Sequence, residues 1–79
     1  MNEQNLIQQG QLGEKRLART NALLAAKAAR RALVSAATYA MNKPIEEVNT
    51  AEIKVYLEQL IAKQEEVQRI DAEIKELSY

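Results

Sequence analysis

Pro44 is the only proline in this 79-residue chain, and it falls between two stretches that both carry helix periodicity. A residue before proline is driven out of the helical region, so a helix arriving from the N-terminal side has to stop near Met41 or Asn42. Beyond it, Pro44-Ile45-Glu46-Glu47-Val48 has room for about one helical turn with proline at its first position. Asn49-Thr50-Ala51-Glu52 then combines an oxygen-bearing cap with a glutamate three residues on, the pattern of a capping box that opens a helix. The punctuation predicts helix 1 over about 14–42, a turn over about 43–49 and helix 2 over about 50–77, each helix ~40 Å long at 1.5 Å per residue. Ahead of them Gly10 and Gly13 stand among Gln4, Gln8, Gln9 and Gln11. Each glycine costs a helix about 1 kcal/mol relative to alanine, so residues 1–15 are expected to form a flexible or frayed arm and 16–79 the helical hairpin.

Helix 2 has the sequence of a packing seam. Ile53, Leu60, Val67 and Ile74 recur every seven residues, flanked by Leu57 and Ile61 and later by Ile70 and Leu77. A strict seven-residue repeat predicts a left-handed supercoil against a partner helix. Glu58, Glu65, Glu66, Glu73 and Glu76 collect on the opposite arc, where water favours them. Gln64 and Asp71 stand where a column through Leu57 would continue, which narrows the expected seam and moves it sideways.

Helix 1 has a wider apolar arc. Nine of the nineteen residues from Ala22 to Ala40 are alanine. Ala22, Ala26, Ala29, Leu33, Ala36 and Ala40 alternate steps of four and three and form one contact stripe. Leu17, Leu24, Ala25, Ala28, Ala32 and Tyr39 form a second stripe beside it. Together they exceed the roughly 100° of arc that one neighbouring helix requires. Helix 1 is therefore expected to meet two neighbours, its hairpin mate and a helix from a second copy. The small alanine side chain favours this by allowing interaxial distances toward the short end of about 8–10 Å. The expected hairpin and dimer core comprises Leu17, Leu24, Ala29, Leu33 and Ala36 with Ile53, Leu57, Leu60, Val67, Ile70 and Ile74. Tyr39 and Tyr56 are expected to straddle the turn end and cover the edge of that core.

The two halves carry opposite charge. Residues 1–43 hold seven basic and two acidic side chains, a net +5, and residues 44–79 hold four basic and nine acidic ones, a net −5. Such asymmetry can mark a contact with nucleic acid or membrane, or it can let one half neutralise the other. Resolved by face, Arg16, Arg19, Lys27, Arg30 and Arg31 share the remaining arc of helix 1 with Leu23, Val34 and Met41. An apolar centre with an arginine-rich rim is a composition found at protein interfaces.

Composition removes most chemistry. Cysteine, histidine and tryptophan are absent, which takes away the usual base near neutral pH, the best side-chain nucleophile and most transition-metal sites. Gly10-Gln11-Leu12-Gly13 lacks the strand and the lysine–hydroxyl pair of a phosphate loop. No catalytic residue, cofactor or metal site is expected. A chain this short buries a small share of its surface and usually needs help to be stable, and without disulfide or metal the remaining help is self-association. Met1-Asn2-Glu3-Gln4-Asn5 does not resemble the start of a secretory signal, and no apolar run approaches the roughly 20 residues that span a bilayer. An intracellular, cytoplasmic protein is the expectation.

The fold expected is an all-α, two-helix antiparallel hairpin with packing like a coiled coil, dimerising into a four-helix bundle. The function expected is a small non-enzymatic module that binds another protein as an adaptor, chaperone or inhibitor would. Arg16, Arg19, Leu23, Lys27, Arg30, Arg31 and Val34 are its expected contact residues. The alternatives are a nucleic-acid-binding dimeric bundle, which the acidic helix 2 disfavours, and a structural subunit of a helical assembly. Helical hairpins serve many unrelated roles, and no motif here selects one.

Overall fold

The structure, a computed structural model, describes residues 3–77, with residues 3–8 described by their backbone alone. Two α-helices, α1 (Glu3–Met41) and α2 (Thr50–Leu77), pack against each other on either side of a short 3-10 turn at Ile45–Glu47. They run antiparallel: Ala40 lies beside Ile53, Ala26 beside Val67 and Ala22 beside Ile70. The result is a rod with extents of 66 × 14 × 14 Å.

α1 ends at Met41, and its last turn tightens as Asn42 N–H donates to the Tyr39 carbonyl at 3.2 Å and Lys43 N–H to the Ala40 carbonyl at 3.1 Å. Lys43 cannot continue the helix because Pro44 follows it. Glu47 N–H donates back to the Pro44 carbonyl at 2.9 Å, closing the turn. Asn49 then caps α2: its Oδ1 accepts from the Glu52 N–H at 3.1 Å, and its Nδ2 donates to Glu52 Oε2 at 3.5 Å. One of the unpaired N–H groups at the helix start is thereby satisfied, and the glutamate is drawn back over the cap.

At the other end α1 begins at Glu3, well before the start expected near residue 14. The helix runs through Gly10 and Gly13, neither of which has positive φ. Their penalty is offset locally, because glutamine, glutamate, lysine, arginine and leucine around them are all good helix formers. Met1, Asn2, Ser78 and Tyr79 lie outside the described residues.

The interface is the four-and-three stripe of α1 against the heptad column of α2. Ala26, Ala29, Leu33, Ala36 and Ala40 are half-buried against α2, as are Ile53, Leu60, Val67 and Ile74. Only Ala22, at 6% exposure, and Ile70, at 4%, are buried among the described residues. The second column of α2 runs through Tyr56, Lys63, Ile70 and Leu77, one step away from Leu57, Gln64 and Asp71, all three of which are exposed. Gln64 and Asp71 therefore lie beside the seam and do not interrupt it.

Several residues expected in the core lie outside the hairpin interface. Leu17 is 63% exposed, Leu24 59% and Leu57 44%. Tyr39, at 67%, does not cover the core edge; its ring lies under the Lys43 ammonium, 4.9 Å from the ring centroid. Tyr56 is half-buried. The reason is geometric: a helix in a two-helix hairpin has one neighbour, which covers only part of an apolar arc as wide as that of α1.

Candidate interaction surface

Steps of four and three place Leu23, Lys27, Arg30 and Val34 on one strip of α1, extended by Arg16 seven residues before Leu23. This strip flanks the inward-facing stripe on one side. Opposite it, α2 contributes Leu60, Gln64, Val67 and Gln68, and the two helices enclose an open groove with Leu23, Ala26, Lys27 and Arg30. Its floor is apolar, made by Leu23, Ala26, Leu60 and Val67. Its walls are polar but unequal: Lys27 and Arg30 on the α1 side face two neutral carboxamides on the α2 side.

The charge of this groove is uncompensated. Among the described residues, neither Lys27 nor Arg30 has an ion-pair partner. The acidic side chains of α2 fall mostly on its other flank and back, as the positions of Glu58, Glu65, Glu66, Glu73 and Glu76 relative to the groove-lining Gln64 and Gln68 require.

Not all of the expected contact residues meet there. Leu23, Lys27 and Arg30 line the groove. Arg16 and Val34 are exposed at its two ends along the strip, Val34 at 56%. Arg19 turns inward, where its Nε donates to Asp71 Oδ1 of α2. Arg31 is exposed on the back of α1, away from the groove. Leu60, Gln64, Val67 and Gln68 were missing from the expected surface. The signal for them is the pair of glutamines at i and i+4, flanking the heptad column where acidic residues would otherwise stand.

Beyond the groove, the open end of the hairpin carries an ion-pair cluster that joins the two helices. Lys15 Nζ and Glu73 Oε2 are 2.7 Å apart, and Arg69 Nη1 donates to Glu73 Oε1 at 3.2 Å. Lys15 above all holds the Glu73 carboxyl below its ordinary value, partial desolvation opposes that, and Arg69 adds to the lowering. No group of acidic side chains suited to hold a metal ion occurs among the described residues. Nor is any helix in them long and apolar enough to cross a membrane. What the geometry offers is a surface for non-covalent contact, with apolar depth and one positive wall. Comparison with protein-family models, with curated proteins and with solved structures gives no match for this chain.

Proposed function

We propose that this chain is a small non-enzymatic interaction module that works as a dimeric four-helix bundle and binds another protein through the groove between α1 and α2. The observation that carries this is the groove itself, with an apolar floor of Leu23, Ala26, Leu60 and Val67 and the unpaired cations Lys27 and Arg30 on one wall. A groove of that kind fits an amphipathic helix whose apolar residues recur at i, i+3 and i+4 and whose flank is acidic. Arg16 and Val34 extend the contact along the rod. The unmatched charge steers an acidic partner toward the groove and discriminates against a basic one.

Nucleic-acid binding is the weaker alternative. Arg19 and Lys15, two of the six cations between residues 15 and 31, are already neutralised by Asp71 and Glu73. Affinity-capture with the tagged full chain, comparing the wild type with the Lys27→Glu/Arg30→Glu variant, tests the proposal. The expected result is loss of acidic protein partners from the variant while its sedimentation and helical circular dichroism stay as in the wild type. An unchanged set of partners refutes the proposal. Retention of DNA or RNA at low salt that the variant abolishes would assign the groove to phosphate instead.

A further inference from the structure

The groove leaves unexplained the apolar residues on the other flank and back of α1. Leu17, Leu24 and Tyr39 are strongly exposed, and Ala28 with them, although one hairpin interface already uses the Ala22–Ala40 stripe. We infer that this second stripe is covered by the acidic helix α2 of a second copy, related by a two-fold axis parallel to the long axis of the rod, so that both turns lie at the same end. The inference rests on the dimeric reading above and assigns its geometry.

Two packings of one hairpin on another are compatible with two-fold symmetry and a shared long face. If the axis runs across the rod, α1 faces α1 of the second copy and the turns lie at opposite ends. If it runs along the rod, α1 faces α2 of the second copy, every neighbouring pair of helices is antiparallel, and the turns meet. Charge separates the two. On this side α1 offers the cation Arg31, since Lys15 and Arg19 are paired within the hairpin and Lys27 and Arg30 line the opposite flank. The first packing sets it against α1 of the second copy, and the second sets it beside α2, which belongs to the half with net −5.

The second packing also gives Arg31 a partner. A two-fold axis along the rod allows no shift along it, so α2 of the second copy stands at the same level beside α1 as its own α2 does. The register set by Ala40 with Ile53, Ala26 with Val67 and Ala22 with Ile70 puts Arg31 level with Ala62, midway between Glu58 and Glu65. Those two glutamates lie on the back of α2, as Arg31 does on α1, and all three are exposed. Among the described residues none of them has an ion-pair partner in its own hairpin. Charge complementarity is thus specific in position.

Over the ~42 Å that α2 spans at 1.5 Å per residue, a face 14 Å wide projects onto roughly 600 Å², the same order as the ~800 Å² per partner of a standard stable interface. Stacking on this face leaves the groove of Leu23, Lys27 and Arg30, on the opposite flank, open to another protein.

The chain has no cysteine, so Glu46→Cys in the turn supplies a single site for a spin label. Sedimentation of the labelled full chain is measured first, then the label-to-label distance by double electron–electron resonance. A dimer with labels within about 25 Å is expected, whereas turns at opposite ends would separate them by at least the ~42 Å length of α2 at 1.5 Å per residue. A dimer with the long distance overturns the orientation and leaves the dimeric reading standing; a folded monomer at micromolar concentration overturns both. In the same assay Arg31→Glu raises the dimer dissociation constant by about three- to thirtyfold, as expected for exposed ion pairs repeated by the two-fold axis. Adding Glu58→Lys/Glu65→Lys to it restores the constant. Failure of that restoration, with each variant still helical, removes Arg31 from the interface.

Discussion

Lys15 Nζ on α1 stands 2.7 Å from Glu73 Oε2 on α2, tying the two helices together at the end remote from the turn. The Lys15 ammonium is the main reason that the Glu73 carboxyl titrates below its ordinary value of 4.5. A carboxyl with a folded-state pKa below its unfolded one contributes stability that is complete above the unfolded value and is lost as pH falls through the folded one. Thermal unfolding between pH 7 and pH 3 is expected to show the wild type melting above Glu73→Gln at neutral pH. The gap should close below the ordinary value of 4.5. A gap that is the same at pH 7 and pH 3 would exclude the pair as its cause.

Ile70 is the most buried large side chain among the described residues, at 4% exposure, and it packs near Ala22 where the helices approach each other. Truncating such a residue leaves a cavity and costs about 2–5 kcal/mol. That is a large part of the ~5–15 kcal/mol that typically stabilises a whole domain. Ile70→Ala is therefore expected to lower the melting point followed by circular dichroism by about 10 °C or more. Ile74→Ala, at a half-buried position, should have a smaller effect. Equal losses from the two would mean that burial is spread evenly along the seam.

Asn49 and Glu52 hold the start of α2 through their reciprocal pair of hydrogen bonds. Asn49→Ala removes the cap and is expected to cost about 1 kcal/mol. Asn49→Asp keeps the accepting oxygen and should recover most of it in urea unfolding curves. No difference between the two would show that the cap N–H is satisfied by other means.

The two-helix plan was legible from sequence because its signals are short-range: a proline that stops one helix, a cap that starts the next, and two apolar periodicities. The α1 stripe from Ala22 to Ala40 was legible for the same reason. Its continuation was not. Steps of three and four carry the stripe backward from Ala22 to Arg19 and Lys15, which a search for apolar residues passes over, yet both reach across the seam to Asp71 and Glu73. The partners of a charged seam residue are set by the register of two helices, and register appears only when both are placed together. Likewise Lys63 stands in the column of Tyr56, Ile70 and Leu77 among small neighbours such as Ala22 and Ala25. There its stem can cover apolar surface while the ammonium remains in water. The groove walls at Gln64 and Gln68 were missed on the same ground, since one helix alone does not show which flank faces its mate.

Gly13 lies inside α1 with open space where a side chain would start, and so does Gly10. Neither position needs the freedom of glycine, because neither has positive φ. Gly13→Ala is expected to stabilise α1 by up to about 1 kcal/mol. The gain should appear as a higher midpoint and more helical ellipticity before the transition. A loss of stability would indicate that this segment leaves the helix in solution or that another chain approaches it closely.

Leu24 separates what holds one hairpin together from what holds two copies together. At 59% exposure it contributes little to the α1–α2 seam, and surface substitutions of that kind usually change stability by less than about 0.5 kcal/mol. In the proposed dimer the same side chain is covered by α2 of the second copy. Leu24→Glu would then place a charge in the contact between copies where an apolar side chain is covered, which is costly. The wild type is expected to melt at a temperature that rises with protein concentration, because association stabilises the folded state by mass action. Leu24→Glu should lose that dependence and sediment as a monomer, with its melting point close to that of the wild type extrapolated to high dilution. Retained concentration dependence in the variant would place the contact between copies on another face of the rod, with the groove of Leu23, Lys27 and Arg30 as the first to test.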